Sequence, residues 1–301
     1  MSQGNLYLDN KRVLKVSGLY CIEFLNNILT LDVSKLIPFE ARPSALLSPQ
    51  GRVLFDLLIS LDFQRHSKEK SILIEYDLLC EDDLIKKLNM YNLRKEVKVE
   101  KTSYNILVTI NTISSENVLK DMRFFDTNIH INRIYDENKL FDYQNKSISS
   151  NWYDLIRYKN CIPEGVKEIE MNANLPAEIN LDLLGGISFE KGCFIGQEVN
   201  ARVKYKGLVK KKYVPVYFKN KNFSFSNFDK IENKIYLETQ DIGEVIALSL
   251  NQEDDIWYGI GKIKLSQLYL FEENNKLECD FFGSKIKINF PKYMLPLPRK
   301  M

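Results

Sequence analysis

The sequence reads as a mixed α+β protein that ends in a small antiparallel β-barrel or sandwich. Three observations carry that reading. Between residues 12 and 110, helical apolar spacings alternate with strand-like runs. From Tyr213 onward, short apolar-alternating runs recur between glycines, asparagines and acidic turns. At 301 residues, the chain is also longer than one core usually organises. Three domains are expected, over residues 1–110, 111–210 and 211–301.

Arg12–Ser17 alternates as a short strand. Ser17 is a candidate N-cap for a helix running to Thr30, with Cys21, Phe24, Leu25, Ile28 and Leu29 on one face. Ala45–Gly51 turns into Arg52–Ser60, a strongly β-like run with which Ser71–Glu75 pairs naturally. Leu78–Met90 is an amphipathic helix, and strands follow at Val97–Lys101 and Tyr104–Ile110. Asn111–Ser150 is polar and punctuated. Asn151–Lys159 is a short helix that stops before Ile162-Pro163, because a residue preceding proline disfavours the helical region. Cys193 falls on a loop and Gly196–Tyr205 on a helix. Later strands are expected at Tyr213–Phe218, Lys234–Glu238, Gly243–Ser249, Tyr258–Leu265 and Lys285–Phe290, with an Asn-rich turn over Phe218–Asn227.

Apolar residues make up 45% of the chain and aromatics 12%, ample for a packed core. A net charge of +2 marks neither a nucleic-acid protein nor an acidic one. The five cysteines (Cys21, Cys80, Cys161, Cys193 and Cys279) are odd in number, scattered and never C-x-x-C. That pattern argues against a disulfide framework and against a self-contained zinc or iron–sulfur site. The first ten residues hold no apolar segment of signal type, and no run approaches a membrane span in length. A reducing cytoplasm is the expected compartment. No phosphate-cradling glycine motif is present, and neither histidine has a metal-ligand or triad partner near it in sequence.

The chemistry concentrates in one octapeptide, Lys191-Gly192-Cys193-Phe194-Ile195-Gly196-Gln197-Glu198. A thiol near a helix N-terminus with a lysine two residues away can have a depressed pKa and act as a nucleophile or metal ligand. Its bland alternative is a small buried apolar residue. Glu178, between apolar neighbours after Pro176, is either a solvent-facing charge or a carboxylate able to accept two parallel N–H bonds from an amino-pyrimidine ring. Strand periodicity puts Asp56 with Leu54 and Leu58 on one face, so it faces solvent or lines a cavity. Arg52 and Arg157 are candidate anion binders. Arg202 opens a run to Lys212 with six cations and no acid, suited to a polyanion, to a small carboxylate ligand or to a solvated face.

The octapeptide followed by Ala201-Arg202 resembles the signature of YgfZ-type proteins. These are tetrahydrofolate-binding factors that assist iron–sulfur enzymes and are related to the glycine-cleavage T protein. Other blocks share the resemblance in order and spacing: Lys15–Gly18, Phe24-Leu25, Leu29–Asp32, Leu47–Arg52 with Asp56, Arg157, Ile162-Pro163, and Pro176-x-Glu178-x-Asn180. Together they cover roughly residues 10–210. Three positions depart from the family pattern: Leu31 stands where Asn is common, Phe55 where an acidic neighbour of Asp56 is often found, and Cys161 where Gly usually precedes Ile-Pro.

The resemblance implies a three-part, ring-like T-protein architecture with a folate-sized channel and a final β-barrel. It implies Glu178 as the carboxylate gripping the pterin, with Arg202, Arg157 and Gln197 completing the folate set. Cys193, with Lys191 beside it, becomes the functional thiol, and Asp56 matches the T protein's catalytic aspartate. The leading expectation is a tetrahydrofolate-dependent factor for assembly or repair of iron–sulfur clusters, whose partners are folate and client or carrier proteins. The alternative is a one-carbon, aminomethyl-type transferase using Asp56. An RNA-contacting module built on Arg202–Lys212 ranks last, and no membrane partner is expected.

Overall fold

A computed structural model describes residues 4–62, 71–93, 96–110, 118–137, 149–207, 209–224, 233–274 and 277–299. They form two compact units that interleave along the sequence. The first takes Met1–Ile148, Glu164–Pro176 and Leu181–Ala201; the second takes Ser149–Pro163, Ala177–Asn180 and Arg202–Met301.

The first unit is built on a nine-stranded sheet. Its elements are β1 (Gly4–Tyr7), β2 (Lys11–Ser17), α1 (Cys21–Ile28), β3 (Glu40–Leu47), β4 (Val53–Leu61), β5 (Ser71–Asp77), α2 (Glu81–Tyr91), β6 (Lys98–Lys101), β7 (Asn105–Ile110), β8 (Leu119–Asp121) and β9 (Ile131–Asp136). The strand order is β1-β7-β9-β8-β3-β4-β5-β2-β6, with β3 and β8 parallel. Helical spacing decides what α1 buries: Cys21, Leu25 and Ile28 face inward, as do Leu84 and Leu88 of α2. They pack with Leu14, Val16, Ile72, Ile74 and Tyr76 into the main core. Each fully buried leucine there is worth roughly 1.5–3 kcal/mol. The expected pairing of β4 with β5 is present and antiparallel.

Three expectations change. Ser17 ends β2 rather than capping α1: Gly18, at φ +119°, turns the chain, and the helix starts at Cys21 without a side-chain cap. Ala45–Leu47 belongs to β3, which begins at Glu40. Pro43 argues against a strand there, yet the parallel pairing with β8 ends at Ala41↔Asp121, two residues before it. The polar span after 110 holds β8 and β9, while residues 111–117 and 138–148 lie outside the described residues.

The second unit contains α3 (Ser150–Lys159), capped by the Ser149 hydroxyl, which accepts from Trp152 N at 3.3 Å. The helix α4 (Gln197–Lys206) begins in the first unit and ends in the second. The strands β10 (Lys211–Phe218), β11 (Lys234–Leu237), β12 (Gln240–Asn251), β13 (Ile256–Lys264), β14 (Cys279–Phe281) and β15 (Ser284–Ile288) close a barrel in the order β10-β13-β12-β11-β14-β15. Every neighbouring pair is antiparallel. Phe218, Phe223, Trp257 and Phe281 pack edge-to-face or stacked within it. The mixed α+β class and the C-terminal barrel are therefore as expected. A further helix, α5 (Leu265–Glu273), follows β13. Residues 225–227 of the expected Asn-rich turn lie outside the described residues.

Candidate functional site

In the first unit, residues 186–195 run along the end of α1. Thr30 Oγ1 donates to Gly186 O at 2.6 Å, Ser188 N to Thr30 O at 2.9 Å, and Ile195 N to Asn27 O at 3.3 Å. Lys191 Nζ donates to Asn26 O at 2.8 Å, to Leu31 O at 2.7 Å and to Leu29 O. An ammonium has three N–H groups, and these three backbone carbonyls engage all of them. Burial pushes Lys191 down to about 8, against the pull of Asp32. Cys193 itself is exposed, whereas the other four cysteines are buried. Burial pushes Cys80 and Cys279 up to about 12, which keeps them as inert thiols.

The far end of this loop rests on the Ser48–Gly51 turn between β3 and β4. Gly51 and Gly196 both have positive φ, +77° and +79°. A Cβ on Gly196 would stand 2.7 Å from Ser48 O and 2.9 Å from Gly51 Cα, so the approach requires glycine. The buried Asn200 closes the junction, donating from Nδ2 to Gly51 O and Gly196 O, both at 2.9 Å. Gln197, half-buried, opens α4, and its backbone N donates to Phe194 O at 3.1 Å. Gly192 has open space around its Cβ position.

Asp56, half-buried on β4, accepts the N–H of Gly165 at 3.0 Å. Beside it lies a buried ionic network that sequence reasoning missed. Arg133 is fully buried, 3.3 Å from Glu75 and Asp121 and 3.4 Å from Glu164. Arg123 grips Asp121 with two bonds at 3.0 and 2.7 Å and reaches Glu164 at 2.7 Å. Burial works against the Lys11 ammonium, but Glu164, Asp56, Glu75 and Asp77 together hold its pKa above the ordinary value. Burial also pushes the Glu75 carboxyl up, against the pull of Arg133.

The second unit carries Glu178, Arg157 and Arg202. Glu178 is half-buried, and its carbonyl accepts from Tyr213 N at 2.7 Å. Its neighbours continue the lacing to β10: Lys212 Nζ donates to Ala177 O at 3.0 Å, and Asn180 Nδ2 to Tyr213 O at 3.1 Å. Arg157 is buried, paired with Asp154 at 2.6 Å, donating to Ile162 O at 3.2 Å, and within 5.3 Å of the Tyr153 and Tyr158 ring centroids. Arg202 is exposed on α4. Cys161, buried where glycine was the expected residue, has φ +50°, the conformation glycine would adopt without strain.

Next to Lys211 on β10 is a pocket of about 600 Å³, lined by Lys210, Lys211, Lys264, Leu265, Tyr269 and Arg299 among others. Arg299 lies 3.1 Å from Glu272 and 5.4 Å from the Tyr269 ring centroid. Lys210 and Lys211 lie in the basic run noted in the sequence, but nothing in the sequence singled out Lys264, Tyr269 or Arg299. Among the described residues no group of three or more His, Cys, Asp or Glu side chains could hold a metal. No helix among them is long and apolar enough to cross a membrane.

No protein-family model matches the chain. Among curated proteins, the mitochondrial iron–sulfur cluster assembly factor IBA57 homolog of Yarrowia lipolytica is 27% identical over 256 residues, covering 69% of this chain and 53% of that protein. Human mitochondrial iron–sulfur cluster assembly factor IBA57 is 29% identical over 235 residues, covering 70% and 65%. The chain thus spans about half to two thirds of the length of these relatives. Among solved structures, the glycine cleavage system aminomethyltransferase T of Bartonella henselae superposes with a TM-score of 0.72. That match covers 100% of this chain and 88% of the other at 13% identity, and it establishes a shared fold.

The resemblance first seen in the octapeptide is borne out to this extent: relatives named as assembly factors, and a T-protein fold. The cytoplasmic location is corrected, because these relatives are named as mitochondrial proteins. Cysteines that form no disulfide call only for a reducing compartment, and the cytoplasm is one of several.

Proposed function

We propose that this chain serves iron–sulfur cluster assembly, with Cys193 as a transient ligand for the cluster and tetrahydrofolate as a bound cofactor. The observation that carries the reading is the exposure of Cys193 alone among five cysteines, on a loop tied down on both sides. The similarity to assembly factors supports the same role. One thiolate cannot hold a cluster, so the remaining ligands come from the donor, the recipient or a small thiol. In the exchange, Cys193 gives its proton to water and its sulfur bonds to iron. The donor's thiolate leaves and is reprotonated, and no electron changes hands.

The residues present fit a folate. The pocket has the volume of a small-molecule site, and four of its side chains are cationic, suited to a glutamate tail. Glu178 does not line the pocket, but its backbone carbonyl is bonded to the strand that supplies Lys211, and its carboxylate is of the type that accepts paired N–H bonds from a pterin. The folate, when bound, supplies one-carbon or redox chemistry of its own ring. The aminomethyl-transfer alternative requires Asp56 as a reacting group, and it is disfavoured because the similar curated proteins are named as cluster assembly factors rather than transferases.

Titration of the purified protein with tetrahydrofolate tests the folate reading. Saturable binding is expected, weakened about tenfold (about 1.4 kcal/mol) by Glu178→Ala and by Arg299→Ala. Absence of binding by the wild type would remove folate from the account.

A further inference from the structure

α1 ends at Ile28, so the carbonyls of Leu25, Asn26, Asn27 and Ile28 have no helical N–H of their own. Leu29 N serves Leu25 O. Asn26 O and Asn27 O are instead served from 165 and 168 residues away, by Lys191 Nζ and Ile195 N. The octapeptide thus forms part of α1's C-terminal cap, and a cation is the charge that end of a helix favours. On its other side the octapeptide sits glycine against glycine on the Ser48–Gly51 turn, bridged by the Asn200 amide. Asn200 is buried, and both Nδ2 bonds go to backbone carbonyls of the two glycines. Between these two anchors Cys193 is exposed, with open space at the Cβ position of Gly192.

We propose that Lys191 and Asn200 are positioning residues for Cys193, holding its loop rigid against α1 and the β3–β4 turn so that the thiol is presented outward to a protein partner. This rests on the reading of Cys193 as the functional thiol. Neither residue touches the cluster. Lys191 acts by satisfying three carbonyls, and Asn200 by bridging the carbonyls of Gly51 and Gly196 where the two glycines meet. A thiol held this way can exchange ligands with another protein without first ordering its loop, which removes an entropic cost from each encounter.

Because Cys193 is the one exposed cysteine, a thiol-specific nitroxide label reports on its loop in otherwise unaltered protein. The wild-type label is expected to give a motionally restricted spectrum. In Lys191→Met and Asn200→Ala its correlation time should shorten at least about threefold, into the range of freely moving loops, while cooperative unfolding is retained. Lys191→Arg, which keeps the cation and its donors, should stay restricted. A wild-type spectrum as mobile as that of the variants overturns the proposal, as does a restricted spectrum in both variants. If Lys191→Met fails to fold, Asn200→Ala alone decides. Label mobility does not depend on cluster assembly, so a Cys193→Ser variant that keeps full cellular activity would sink the functional reading while leaving this result intact.

Discussion

Cys161 shows what one residue can disclose. In sequence it stood where glycine was expected, and in the fold it takes a left-handed φ of +50° while fully buried. Holding a side chain there costs about 1–2 kcal/mol. Replacing it by Ala and by Gly removes the same sulfur, but only Gly relieves the backbone. Cys161→Gly should therefore exceed Cys161→Ala in stability by about 1 kcal/mol in urea unfolding; equal stabilities would refute the strain. Lys191 makes a second prediction. Its folded pKa of about 8 lies below the ordinary 10.5. The unfolded chain binds more protons in that window, so stability contributed at this site rises between pH 8 and 10.5. The difference between wild type and Lys191→Met isolates it from other titrating groups, and a difference flat across that range would contradict the assigned burial.

At the scale of elements, the two glycines of the octapeptide have opposite requirements. Gly196 is pressed against the Ser48–Gly51 turn at positive φ, whereas Gly192 has open space. Gly196→Ala should cost about 2 kcal/mol of unfolding free energy, and Gly192→Ala should stay within about 0.5 kcal/mol. Similar losses at both would mean that the junction is looser than it looks. The sequence drew attention to the octapeptide but could not rank its glycines, because the atoms that confine Gly196 come from a turn some 145 residues earlier. The same distance effect hid other elements. Local patterns sufficed for β4, for the buried face of α1 and for the stop of α3 before Ile162-Pro163. They failed for β3, where Pro43 obscured the strand. They failed again for β9, whose buried Arg133 finds its partners on β5, β8 and residue 164.

Across the whole molecule, the motif residues were legible and the surroundings that give them a task were not. Cys193 and Glu178 could be singled out from neighbours in the chain. The basic pocket could not, since it draws Lys210, Lys264, Tyr269 and Arg299 from three stretches of sequence with no common motif. Arg157, read as an anion binder, is held by Asp154, Ile162 O and two tyrosine rings inside the second unit. The burial of four cysteines makes a prediction for the intact protein: one thiol reacts rapidly under native conditions, and five react in denaturant. A second fast-reacting thiol would contradict the burial of the other four cysteines.

The central claim is that Cys193 handles iron–sulfur cargo. Its most direct test is the activity of an iron–sulfur enzyme in cells deprived of this chain, restored with wild type or with Cys193→Ser at matched abundance. Restoration by wild type and none by Cys193→Ser is the expected result. Full restoration by Cys193→Ser would contradict it.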